Sequence, residues 1–226
     1  MFDGTGRIIG TAILAIDPGT TYSGWCLLED SEPVEWGWDD NEEIIKRLVN
    51  STAGGSWFGG IFVHLVIEDV SHYGMPVGKD VFDTVRWAGR FHQAVAIPRL
   101  GIDVTYIKRP DVKLHLCGSP RANDSTIRQA IIDRYGGDEI AIGGKKCKTC
   151  KGKGWVGRGR PTCSDCCHTK MLNHLTCRIS GGTCSHVQKV SGYQSPPGVL
   201  HGVSGHVWSA LAVGLTYDDK LLINRV

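Results

Sequence analysis

The sequence predicts an α/β fold: a mixed five-stranded sheet flanked by helices, with a small cysteine-rich module inserted late in the chain. Three observations carry this expectation. Apolar segments of strand length recur through the first half of the chain, the first three close enough together for an antiparallel meander. Amphipathic segments of helical period separate the later ones. Seven of the nine cysteines lie between Cys147 and Cys184, in a stretch with few apolar residues. A chain of 226 residues has room for one such domain and one small module.

The elements follow in order. Residues 11–17 (TAILAID) are apolar and rich in branched side chains, and they stop at an Asp-Pro-Gly turn. Residues 22–29 (YSGWCLLE) and 33–38 (PVEWGW) complete the meander, separated by Asp30 and Ser31. Residues 40–49 open with acids and carry apolar residues at helical spacing, the mark of a helix. FVHLVIED at 62–69 is a buried strand ending in two acids. Residues 79–97 form a long helix with Val81, Phe82, Val85, Ala88, Phe91 and Val95 on its inner side. IDVTYI at 102–107 is the fifth strand. Pro110 fits the first turn of a short helix through Leu116, and Asp124 or Ser125 suits the cap of a helix running to Tyr135. The pattern breaks at Gly136 and Gly137. Regular helix resumes at 203–217, where Val207, Leu211 and Leu215 form one face and Trp208 and Ala212 widen it. The expected division is therefore a main domain of 1–136 with 199–226, and an insert of 137–198.

No apolar run approaches the roughly 20 residues that a membrane span needs. The opening MFDGTGRIIG lacks the basic and long apolar stretches of a secretory signal. A cytoplasmic protein without a membrane partner is expected. The net charge of +2 conceals an asymmetry: residues 145–170 hold eight Lys or Arg against the single acid Asp165, a net of +7, which leaves −5 for the rest. A basic module on a mildly acidic body suits a polyanionic partner. A solvated charged loop is the plainer alternative.

An odd cysteine count and clustered CxxC pairs, in a chain without a secretory signal, favour metal over disulfides. Cys147 with Cys150 and Cys163 with Cys166, twelve residues apart, supply four thiolates for a closed tetrahedral zinc site. Cys177, Cys184 and His186 are candidate ligands of a second zinc, with reduced thiols and a solvated histidine as the alternative. A module with so few core residues needs metal to fold. Its lysines and arginines would then form a rigid basic finger against a DNA arm.

Metal-dependent hydrolysis of a phosphodiester needs carboxylates that converge from separate elements, so that ions about 4 Å apart stabilise the attacking and leaving oxygens. Magnesium prefers such hard oxygen ligands. A carboxylate at the end of a buried strand is costly unless a metal or partner compensates it. That criterion singles out Asp17 and Glu68, with Asp69 next in sequence. The alternative for each is a turn or helix cap.

The quoted segments also carry a resemblance. ILAIDPGTTYSGWCLLE resembles the first motif of RuvC-type Holliday-junction resolvases, where IDPG is followed by a Gly-aromatic step into the second strand. VIEDV matches the glutamate-bearing strand motif, and HVWSALAVGLTY resembles the last helix. VKLHLCGSPRANDSTIRQAII lies where that family has a Lys- and Gly-containing link into a helix, and SHYGMPVGKDVFDTVRWAGRF resembles bacteriophage-encoded members. Together these span most of 8–136 and 199–217 and leave out the cysteine insert.

The resemblance implies an RNase H-like fold and a magnesium- or manganese-dependent endonuclease. Such an enzyme resolves four-way junctions and other branched DNA by paired nicks, as a homodimer, in the bacterial host cytoplasm if phage-encoded. Asp17 and Glu68 match its metal-binding catalytic acids. Its last helix usually holds two acids three residues apart, sometimes with His at the first position; this chain has His206 and Ser209. His206 is then a metal ligand or a proton carrier near neutral pH. Ser209 offers only a hydroxyl for a metal-bound water, and Asp69 is a candidate for the lost charge. The helix at 79–97 matches the dimer contact, with ordinary core packing as the alternative. Tyr73, Met75 and Lys79 are candidate junction contacts, the ring by stacking on unpaired bases. Lys108, Arg109, Lys113, Arg121 and Arg128 are candidate phosphate contacts.

Two rival functions remain open at the level of sequence. IDPGTT also resembles the phosphate-binding opening of the sugar kinase and actin superfamily, which shares the RNase H-like core. Those proteins need a duplicated domain and further nucleotide motifs, more than 226 residues hold. The other rival is a non-catalytic junction-binding or zinc-mediated DNA-binding protein, motivated by Ser209.

Overall fold

Side chains alternate between the two faces of a strand, and here that alternation sorts the apolar sequence into two cores, one on each side of a single sheet. The computed structural model describes residues 12–52, 64–70, 76–96, 102–143, 168–171, 187–190 and 197–223. The sheet holds β1 (Ala12–Asp17), β2 (Tyr22–Glu29), β3 (Glu32–Asp40), β4 (His64–Asp69) and β5 (Asp103–Lys108), in the order β3-β2-β1-β4-β5. β1, β2 and β3 pair antiparallel, while β4 lies parallel to both β1 and β5. Asp30 and Ser31, both at positive φ, form the tight turn between β2 and β3. β3 is longer than the expected 33–38 because both of its ends pair with β2, at Glu29 with Glu32 and Tyr22 with Asp40.

One face buries Leu14, Ile16, Trp25, Leu27, Leu65 and Ile67 with residues of α1 (Asn41–Thr52) and α2 (Lys79–Val95). In α2 only Ala88, Phe91 and Val95 are buried. Phe82 and Val85, expected inside, are 54% and 50% exposed, and Val81 is half-buried. Phe82 and Val85 lie about 180° and 120° around the helix from Phe91, outside the stripe of Ala88, Phe91 and Val95 that meets the core.

The opposite face is covered by α6 (Val207–Ile223), which packs on β1, β2 and β4 and against α3 (Arg109–Cys117). The expected helix of 203–217 begins later because Gly202 and Gly205 sit at positive φ, outside the helical region. It is also buried around nearly its whole circumference from Val207 to Asp218, not along one face. The cause is a second layer: α3 and the Arg128 side chain of α4 (Asp124–Arg134), which lies over the Trp208 ring at 5.0 Å, cover what the sheet leaves open. The cap of α4 is Asn123, one residue before the expected position; its Oδ1 accepts from the Thr126 amide at 2.8 Å. Asp124 is thereby released for another contact.

The described residues group into two compact units, one formed up to Ile131 and again from Val203, the other between Ile132 and Gly202. The second contains α5 (Asp138–Ala141) and an antiparallel pair, β6 (His168–Met171) with β7 (Val187–Val190). Cys147, Cys150, Cys163, Cys166, Cys177, Cys184 and His186 lie outside the described residues, as do Tyr73 and Met75. Among the described residues no helix is long and apolar enough to cross a membrane.

Candidate active site

β1 and β4 are parallel neighbours, with Ile16 opposite Ile67. One residue further, Asp17 and Glu68 turn to the α6 face together. Their side chains are only 14% and 13% exposed. His206, immediately before α6, places Nδ1 3.1 Å from Asp17 Oδ2, and the Ser209 hydroxyl also hydrogen-bonds Asp17. Both sequence-selected residues of the last helix thus converge on the first acid. Gly24 makes this approach feasible: it pairs with Asp17, and a Cβ there would stand 2.5 Å from the His206 carbonyl oxygen. The turn after Asp17 is fixed by a buried network. Ser23 Oγ donates to Asn41 Oδ1 at 2.6 Å and accepts from the Gly19 amide at 3.1 Å, while Asn41 Nδ2 donates to the Gly19 carbonyl at 3.0 Å.

Glu68 has a different partner. Arg109, the first residue of α3, donates from Nη1 to Glu68 Oε2 at 2.9 Å and from Nη2 to Asp124 Oδ1 at 2.7 Å. Asp124 is thus an additional carboxylate at the site. Asp69 is less well placed for that role: alternation along β4 turns it to the α2 face, with Ile67. It lines the rim of an open cleft of about 370 Å³, together with Asp17, Pro18, Glu68, Val70, Arg109, Lys113 and Asp124. Sequence reading placed Arg109 among phosphate contacts and Asp124 at a helix cap. Neither position signals this partner locally: the β4–β5 register, with Glu68 opposite Ile107, sets Arg109 beside a carboxylate 41 residues earlier in the chain, and Arg109 in turn reaches Asp124.

The electrostatics follow from burial and crowding. Desolvation raises the Asp17 carboxyl above its ordinary range, against the lowering effects of His206, Arg109 and Ser209. Burial, reinforced by the Asp17 charge, pushes Glu68 up to about 7, although Arg109 pulls the other way. Asp124 is held below its ordinary range by its hydrogen bond from Arg109.

Among the described residues no three His, Cys, Asp or Glu side chains form a ready-made metal cage. Magnesium, however, commonly takes only one or two protein carboxylates and completes its shell with water and phosphate oxygens. Two buried carboxylates on adjacent strands, each raised toward its neutral form, are a donor set that a divalent cation relieves. The residues fit one such ion. The position beside Glu68 and Asp124 holds the Arg109 guanidinium.

This arrangement sits on a known scaffold. Two solved structures of RuvC from Thermus thermophilus superpose with a TM-score of 0.52 each. One is 12% identical, over 95% of this chain and 97% of that one. The other, described as a complex with Holliday junction substrate, is 13% identical over 95% and 96%. The fold is RuvC-like. No protein-family model matches the sequence, and no curated protein matches it.

On this RuvC-like scaffold the sequence-selected cations fall in different places. Lys113 lines the cleft. Lys108 is exposed at the end of β5, Lys79 is exposed at the start of α2, and Arg121 lies in the exposed turn before α4. Arg128 is exposed but rests on Trp208.

Proposed function

We propose that this chain is a metal-dependent, structure-selective endonuclease that resolves Holliday junctions and other branched DNA by paired nicks. One observation carries the reading: Asp17 and Glu68 converge at the ends of adjacent parallel strands of a RuvC-like fold, with His206 and Ser209 on Asp17. The Thermus thermophilus RuvC solved with a Holliday junction substrate supports branched DNA as the partner.

In this reading Asp17 and Glu68 hold magnesium or manganese. When bound, the ion supplies Lewis-acid stabilisation of the scissile phosphate and an activated water. His206 and Ser209 orient the Asp17 carboxylate from its other side. The imidazole, 66% exposed, is also free to exchange a proton with solvent or a leaving oxygen. Arg109 and Lys113 bring positive charge to a phosphate entering the cleft. Lys79, Arg121 and Arg128 extend the DNA contact, Tyr73 and Met75 are further candidate contacts by sequence, and Asp69 contributes negative charge at the rim. Phe82 and Val85, apolar and exposed on α2, support a homodimer through that helix, one site per nicked strand. The insert binds structural zinc through Cys147, Cys150, Cys163 and Cys166, with Cys177, Cys184 and His186 available for a second ion. A cytoplasmic, bacteriophage-encoded protein fits this role.

The deciding experiment compares a synthetic four-way junction, a fork and a linear duplex with and without Mg²⁺. Paired symmetric nicks confined to the junction are expected, and Asp17→Asn and Glu68→Gln should abolish them; activity retained in either variant rules out the assignment. Mass spectrometry of the native protein should find at least one zinc per chain. The two-carboxylate site also supports a second reading, junction binding without cleavage, which binding with no nicks in either Mg²⁺ or Mn²⁺ would establish.

A further inference from the structure

Tyr22 and Trp38 form an exposed aromatic stack that the site described so far does not use. Their ring centroids are 4.7 Å apart and their planes 26° from parallel. They remain 46% and 53% exposed. Cross-strand aromatic pairs stabilise a hairpin modestly, but two half-exposed rings, Trp38 on the edge strand β3 and Tyr22 on β2 beside it, invite unwanted association unless something uses them.

Register locates the stack. Asp17 pairs with Gly24, and Gly24 pairs with Trp38, so the three lie in one row across β1, β2 and β3. Residues in one row of a sheet share a face. Gly24 faces His206, so Trp38 faces the same side as Asp17, two strand spacings or about 10 Å away. Tyr22, two residues before Gly24, shares that face. It also opens β2 directly after the turn that leaves Asp17. The aromatic pair therefore flanks the acid cleft across β2, on the side away from Glu68 and Arg109.

The neighbouring charges indicate what the stack recognises. Asp39 and Asp40 follow Trp38, and both carboxylates are engaged. Asp39 accepts from Trp25 Nε1 at 2.7 Å and pairs with Arg47 at 3.0 Å, while Asp40 accepts from the Glu42 amide at 2.9 Å. Asp39 turns to the opposite face, with Trp25 and Arg47, so only Asp40, opposite Tyr22, brings negative charge to the stack; it disfavours a phosphate here and leaves the ring faces as the attractive feature. We propose that Tyr22 and Trp38 are a stacking platform for a nucleobase unstacked at the branch point, next to the phosphodiester held at Asp17. This rests on the nuclease reading and adds a base-binding subsite to it.

The test uses the full chain in buffer with neither Mg²⁺ nor Mn²⁺ and no chelator, so that no cleavage competes and zinc is retained, and a four-way junction with 2-aminopurine at the branch point. Binding should quench the probe. Trp38→Ala should lose that quenching and bind about tenfold more weakly, the scale of one base–aromatic stack. Trp38→Phe should retain most of both. Trp38 is half-exposed, so an unchanged melting temperature certifies the fold of each variant. Parental affinity and quenching in Trp38→Ala would overturn the platform and leave the nuclease reading intact. So would a drop in sedimentation mass of free Trp38→Ala with quenching preserved, which identifies the surface as a contact between copies. A parental chain that binds no junction at all overturns the nuclease reading itself.

Discussion

Arg109 donates to Glu68 at 2.9 Å, and so places a fixed cation against a carboxylate at the end of a buried strand. The guanidinium also spans to Asp124, which makes it the local charge balance of the metal-free site. Arg109→Ala leaves Glu68 buried without that partner. Breaking the pair should cost about 2–3 kcal/mol of stability, somewhat less than for a fully buried pair because both side chains keep some solvent contact. Mn²⁺ should then raise the melting temperature of Arg109→Ala more than that of the parent, since the ion takes over the lost charge. Equal metal-induced shifts in the two proteins would show that guanidinium and metal do not share this role.

With Glu68 in its proposed metal-holding role, its raised carboxyl would make metal affinity depend on pH. A carboxylate whose folded pKa lies above its unfolded value of 4.5 contributes stability at low pH, and that contribution is lost as pH rises toward about 7. The metal-free protein should therefore lose stability between those values. Metal binding must displace the remaining proton, so Mn²⁺ affinity should fall by up to tenfold per unit as pH drops below about 7. Calorimetry in buffers of different ionisation enthalpy reads the released proton directly. In Glu68→Gln both the release and its pH dependence near neutrality should shrink.

Ser209 touches Asp17 but carries no charge. Ser209→Asp would set a second carboxylate beside Asp17. Without metal, like-charge repulsion should raise Asp17 further and lower stability by about 1 kcal/mol. With metal, the added ligand charge should tighten Mn²⁺ binding about tenfold. Opposite signs for the two effects distinguish a cation site from a merely crowded one, and thermal melts with and without Mn²⁺ measure both.

The strands and the first two acids were legible because each sits at the end of an apolar run, and strand period fixes which way its side chain points. His206 and Ser209 were legible only through the resemblance of the last helix; the structure adds that both reach Asp17 rather than simply sharing a helix face. Arg109 and Asp124 were not legible as partners of Glu68. Their meeting depends on the parallel pairing of β4 with β5, which sets Glu68 opposite Ile107 and so beside Arg109, and on Asn123 taking the cap of α4; neither strand partner nor cap is encoded by local periodicity. The face of α2 was misread for a different reason. Steps of three drift around a helix of 3.6 residues per turn, so Phe82 stands about 180° and Val85 about 120° from Phe91, away from the stripe of Ala88, Phe91 and Val95 that meets the core.

Variants at His206, whose Nδ1 lies 3.1 Å from Asp17, separate the proposed roles of orientation and proton transfer. Its ring lowers Asp17 toward the ionised form by hydrogen bond and charge, so His206→Ala removes both effects and raises the Asp17 carboxyl further. The pH midpoint for Mn²⁺ binding should then move upward, while affinity well above that midpoint changes little. Cleavage should fall by about 10²-fold or more if the imidazole also carries a proton in the reaction. His206→Asn, which keeps a hydrogen bond to Asp17 but cannot exchange a proton near neutrality, should hold the carboxylate in place yet stay slow. Rates from single-turnover cleavage at saturating Mn²⁺, set beside metal affinities from titration, distinguish the roles. If the Asn variant recovers the parental rate, His206 acts on Asp17 alone.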